Sequence, residues 1–120
     1  MTSKNQKNII NDWQDRLDNL FGVYVHQNSL EYAADYMAEN TCEDLDVHKE
    51  YVYVLDTAIA NCKENKTDAM KAINEGGGYM PQSIEETLRL LTEFYNLYLQ
   101  EYEKHILENR VSSAHEQPST

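Results

Sequence analysis

Four histidines, two cysteines and a large excess of carboxylates are the residues of this chain best equipped for chemistry. Glu101 and His105 stand four apart, a spacing that on a helix brings a carboxylate and an imidazole within reach of one metal ion. A di-metal carboxylate bundle needs two E-x-x-H motifs and two further carboxylates from facing helices, and neither motif is present. His26, His48 and His115 are scattered and form no H-x-x-x-H pair. The sequence therefore predicts no metal, no cofactor and no catalytic group. Cys42 and Cys62 form no C-x-x-C, and Cys62 falls on an apolar helical face, where it reads as a small core residue. Gly76-Gly77-Gly78 follows no strand and brings no lysine to a phosphate, so it reads as a helix stop rather than a phosphate cradle.

The carboxylates carry more information. There are 21 Asp and Glu against 10 Lys and Arg, a net charge of −11, which opposes binding to nucleic acid or anionic lipid by bulk electrostatics. The 32 residues between Arg16 and Lys49 hold seven carboxylates and no Lys or Arg. Among them Glu31, Asp35, Glu39 and Glu43 recur every four residues, so they stack on one face if their helix runs far enough. Like charges at this spacing cost roughly 0.2–0.5 kcal/mol per pair. Tyr32 and Tyr36, also four apart, flank the ladder, and tyrosine is enriched where proteins touch partners. The plain alternative is a solvated face that keeps the chain soluble, with the tyrosines closing the edge of the core.

The elements that must position these residues are helical. Ile9, Ile10, Trp13, Leu17, Leu20 and Phe21 mark a first helix from after Ser3 to about Phe21, with Gly22 as a stop, and Val23-Tyr24-Val25 reads either as a short extended link or as another helical turn. Asn28-Ser29 followed by Glu31 predicts a capping box opening a second helix with Leu30, Ala33, Ala34 and Met37 inward, ending at Asn40-Thr41. Thr41 or Asp44 caps a third helix. There Tyr51-Val52-Tyr53-Val54 favours strand by propensity, but Val47, Tyr51, Val54, Leu55, Ala58 and Cys62 keep helical spacing. Thr67 opens a short fourth helix with Ala69, Met70 and Ile73 inward, and the glycines close it. Ser83-Ile84-Glu85-Glu86 is a second capping box, opening the longest helix over 84–109. The expected fold is all-α: one small helical bundle of about five helices over 1–110, followed by a flexible, disordered tail over 111–120.

On the long helix, Ile84, Leu88, Leu91, Tyr95, Tyr98, Tyr102 and Ile106 form one apolar stripe and Leu90, Phe94 and Leu97 a second. Together they are wider than the ~100° face of an ordinary surface helix. Either this helix is the centre of its own bundle, or one stripe pairs with another copy of the chain. At about 39 Å it outreaches its neighbours, which makes Tyr98, Tyr102 and Ile106 the candidates for self-association as a homodimer.

Arg110-Val-Ser-Ser-Ala-His115 resembles the R-x4-H spacing of the HEPN family of helical ribonucleases. That resemblance covers six residues and implies RNA cleavage by Arg110 and His115, with His105 nearby. Val111 stands where the family has a polar residue, and the negative charge opposes RNA binding.

No apolar run exceeds the five residues Tyr51–Leu55, which predicts no membrane span and no signal-peptide core, and two cysteines predict a reducing cytoplasm. The expected function is non-enzymatic. An acidic binding protein would use Glu31, Tyr32, Asp35, Tyr36, Glu39 and Glu43 to occupy and inhibit or regulate a basic protein partner, such as a nuclease or nucleic-acid-binding complex. Antirestriction and anti-CRISPR inhibitors, DNA mimics and toxin immunity proteins meet the same physical requirements. The alternative is a structural or assembly protein that self-associates through the long helix.

Overall fold

The structure, a computed structural model, describes residues 13–116 except 27, 77 and 78, and the side chains of 76 and 110–116 are not described. It is an all-α bundle. Helix α1 (Trp13–Leu20) runs on into a π-helical segment (Phe21–Val25), and α2 (Leu30–Thr41), α3 (Leu45–Lys63), α4 (Asp68–Gly76) and α5 (Ile84–Glu116) follow. The expected start of the first helix, with Ile9 and Ile10, lies outside the described residues, as do Gly77, Gly78 and residues 117–120.

Local signals set most of the boundaries. Ser83 Oγ accepts the Glu86 N–H at 3.1 Å and opens α5, while Glu86 Oε1 reaches back to the Gln82 N–H at 3.0 Å. Asp44 Oδ1 accepts the Val47 N–H and opens α3. Period prevails over propensity across Tyr51–Val54, which is helical throughout, because Val54, Leu55, Ala58 and Cys62 all reach the core from one face. At its end Asn65 adopts φ 62°, its N–H bonding Cys62 O and that of Lys66 bonding Asn61 O, a left-handed closure in which asparagine replaces glycine.

One stop and two caps differ from the sequence reading. Gly22 does not stop the first helix: Phe21, Tyr24 and Val25 are buried, so packing holds one wider turn together until His26. The cap of α2 is Ser29, whose Oγ accepts the Tyr32 N–H, while Asn28 turns its amide onto Tyr24 O at 2.8 Å. At the start of α4 the Ala69 N–H is taken by Asn61 of α3, which also donates to Asp68. The inward residues of α4 are Ala69, Ala72 and Ile73, with Met70 only half-buried.

Helix α5 is the central element. It packs most extensively on α2 and next on α3, whereas α1 packs mainly on α4 and α3. The buried face of α2 sets three alanines (Ala33, Ala34 and Ala38) among Leu30, Met37 and Thr41, and these small side chains leave room for Leu91, Phe94 and Tyr98 of α5. The deepest row on α5 is thus Thr87, Leu91, Phe94 and Tyr98, drawn from between and within the two stripes, while Leu88, Leu90, Tyr95 and Leu97 flank it half-buried. Thirty-three residues carry α5 about 50 Å, close to the 56 Å long axis of the molecule and well past the ~18 Å of α2. The helix continues seven residues beyond Asn109 to Glu116.

Candidate functional site

The outward side of α2 is the candidate site. With Ala33, Ala34, Met37 and Ala38 turned to the core, the helical period leaves Glu31, Tyr32, Asp35, Tyr36 and Glu39 in solvent. Tyr32 is 60% and Tyr36 41% exposed. Their rings are 6.3 Å apart, and Tyr36 meets Tyr24 edge to face at 5.3 Å. Tyr24 in turn meets Tyr51 at 6.0 Å, so a file of four tyrosines runs from the surface into the protein. The file is anchored from below: Tyr24 is buried, accepts a hydrogen bond from Asn40 Nδ2 at 3.2 Å and faces the Tyr51 hydroxyl at 3.5 Å. Burial, and secondarily the Tyr24 hydroxyl, push the Tyr51 phenol well above its ordinary range. Glu43 is exposed but lies off this face, because α2 ends at Thr41 and Glu43 belongs to the connector.

The fold brings other charged groups to the ladder that its sequence does not show. His105 of α5 places Nε2 2.6 Å from Asp35 Oδ1, and its Nδ1 lies 3.8 Å from Glu108 Oε1. Glu101, one turn before His105, joins this cluster, and the ligand-capable atoms of Asp35, Glu101 and His105 all lie within 4.8 Å of one another. Near the start of α2, Glu31 shares a cleft of about 520 Å³ with Glu86, Arg89 and Glu93 of α5 and with Tyr79, Met80 and Pro81. Arg89 is itself within 3.6 Å of Glu85. The two loop residues divide: Tyr79 is half-buried with its hydroxyl on Asn28 O, and Met80 is 67% exposed on the rim.

The self-association stripe is corrected by burial. Tyr98 has no exposed surface, so it is core rather than interface. Its hydroxyl is 2.8 Å from Thr41 Oγ1 and 2.6 Å from His48 Nδ1, and Thr41 Oγ1 is 3.0 Å from Met37 O. One arrangement satisfies every donor: His48 Nδ1–H donates to Tyr98, Tyr98 to Thr41, and Thr41 to the carbonyl of Met37. Burial raises the Tyr98 phenol and lowers His48 from the ordinary imidazole range. Tyr102 lies flat on the His48 ring, with centroids 3.6 Å apart and planes 7° from parallel. Ile106 is half-buried, and the apolar residue most open at that end is Leu107, 53% exposed.

Neither cysteine makes a disulfide. Cys62 is buried, which raises its thiol, and Cys42 accepts a contact from Asn109 Nδ2 at 3.3 Å. Arg110 and His115 fall on the last turns of α5, and their side chains lie outside the described residues. No helix among the described residues is long and apolar enough to cross a membrane. Compared with protein-family models, curated proteins and solved structures, the chain matches none.

Proposed function

We propose that this chain is a non-enzymatic binding protein whose α2 face occupies a basic surface on a protein partner and so inhibits or regulates it. The observation that carries this reading is the outward side of α2. Five consecutive outward positions hold three carboxylates and two tyrosines, with no lysine or arginine on the helix. The tyrosines sit in a file braced by buried Tyr24, so little ordering of the rings is left to occur on binding. Carboxylates attract the basic partner and speed encounter, and the rings supply the apolar contact that holds it. A protein that binds nucleic acid offers the matching surface, so nucleases and DNA-binding defence complexes are the partner class. Inhibitors of the antirestriction, anti-CRISPR and toxin-immunity kind work on the same physical terms.

The test is affinity capture from source cells by the wild-type chain and by an E31K/D35K/E39K variant, washed at low and high salt. A basic nucleic-acid-binding protein held by the wild type, released by salt and not held by the variant supports the reading, provided both melt at similar temperatures. Equal capture by both removes this face from consideration. Recovery of the chain alone, stable in high salt, transfers the weight to self-association through the exposed end of α5.

A further inference from the structure

We propose that Asp35, Glu101 and His105 form a binding site for a divalent transition-metal ion, with Zn2+ as its natural probe, joining α2 to the distal half of α5. The three side chains come from two helices and converge although Asp35 and His105 are seventy positions apart in sequence. Their ligand-capable atoms, one imidazole nitrogen and two carboxylate oxygens, lie within 4.8 Å of one another. Ligands about 2.0–2.2 Å from a tetrahedral ion stand roughly 3.4 Å apart. Binding an ion therefore requires the side chains of Asp35, 56% exposed, and Glu101, 25% exposed, to draw closer than they stand.

The imidazole is the discriminating element. Nitrogen ligation disfavours Ca2+ and Mg2+, which prefer oxygen, and suits zinc and its neighbours. Its orientation is also that of a metal ligand: Nε2 points to the cluster, while Nδ1 points toward the Glu108 carboxylate at 3.8 Å. At 3.8 Å this is a charge contact rather than a hydrogen bond, on the side where metal-ligating histidines commonly meet a carboxylate. Three protein ligands leave one position to water or to a group from outside. Lys104, with Nζ 3.5 Å from Glu101 Oε2, is the local competitor that an ion must displace.

Metal ligands must be deprotonated to bind, so a bound ion leaves as the pH falls. The experiment is calorimetric titration of the full chain with Zn2+ in metal-free buffer, at neutral and mildly acidic pH. Wild type, E101Q, H105Q, C42S and H48Q are compared, with thermal midpoints recorded to confirm folding. One saturable ion per chain, weakened by acid, is expected. E101Q and H105Q should each lose on the order of 10–100-fold or more in affinity, since even outer partners of metal ligands carry that much. C42S and H48Q should bind as the wild type does. Absence of saturable binding, binding that survives H105Q, or binding that depends on Cys42 or His48 would overturn the site.

Discussion

Two aromatic groups in this molecule are built from the same side-chain types and end up with opposite roles. Around Tyr98, a histidine, two tyrosines and a threonine close on each other: the Tyr98 hydroxyl, the Thr41 hydroxyl and His48 Nδ1 form one hydrogen-bonded chain, and Tyr98 and Thr41 have no exposed surface. Along α2, the Tyr32 and Tyr36 rings meet at a tilt with a similar separation, 6.3 Å against 6.0 Å for Tyr98 and Tyr102, but face solvent among carboxylates. Spacing does not separate them, since Tyr98/Tyr102 and Tyr32/Tyr36 are both four apart. What separates them is the surface opposite. Helix α5 is covered by α2 and α3 at the level of Tyr98, whereas among the described residues Tyr32 and Tyr36 on the outer side of α2 stay largely open to solvent, with only His105 reaching Asp35 beside them. An aromatic pair anchored by a buried, hydrogen-bonded hydroxyl holds the fold; one left open and braced from beneath is available to a partner.

The largest effect expected from this contrast is at Tyr98. Its replacement by alanine should destabilise the protein by about 3–5 kcal/mol in urea unfolding, the usual cost of deleting a buried aromatic ring. Tyr98→Phe keeps the ring but strands the donor of His48 and the acceptor of Thr41, and should cost about 1–3 kcal/mol. A neutral outcome there would mean that the hydroxyl relay contributes nothing and only the ring matters.

Acid should act on the same knot more gently. His48 has its pKa lowered by burial, and Tyr98 and Thr41, together with the overlying Tyr102 ring, bring no negative charge to offset protonation. The unfolded chain therefore binds the proton more readily than the folded one. Stability is full above the ordinary imidazole range near pH 6.5 and declines as the pH falls through it toward the lowered folded value. His48→Gln should flatten that slope in a series of thermal melts.

The smallest effect on stability belongs to the open pair. Tyr32→Ala should change unfolding free energy by no more than about 0.5 kcal/mol, as for other exposed positions. It should nonetheless weaken capture of the basic partner by about tenfold, the loss expected of a contact anchor. If Tyr32→Ala instead destabilised the protein as Tyr98→Phe does, the two aromatic groups would be alike, and the distinction would fail.

Helix type and most helix ends were legible because their causes are local. Ser83 and Asp44 act on amides three residues away, and the period from Val54 to Cys62 is a property of one segment. Where a boundary depended on distant packing the signal was absent or misleading. Gly22 has the chemistry of a stop, but the burial of Phe21, Tyr24 and Val25 against other helices keeps the turn intact. Thr67 sits where a cap belongs, yet Asn61 from the preceding helix takes the Ala69 amide. The acidic face was readable as a face, since α2 alone creates it, but its histidine was not. Nothing in the sequence around Asp35 refers to a side chain seventy residues away, and Glu101 and His105 together lacked a visible third partner. Tyr98 was misread for a related reason. A stripe shows that a residue will be covered, but not whether the cover comes from the same chain.

The central place of α5 also has a consequence for how the protein comes into being. A ribosome makes α1 to α4 before the helix that unites them, so the nascent chain carries the alanine face of α2 without Leu91, Phe94 and Tyr98 to fill it. The contacts that complete the core join residues far apart, Thr41 to Tyr98 across fifty-seven positions, and such closures are slow relative to helix formation. Until α5 has emerged the apolar faces it covers stay open, and the chain's net charge of −11 is what opposes their association with one another.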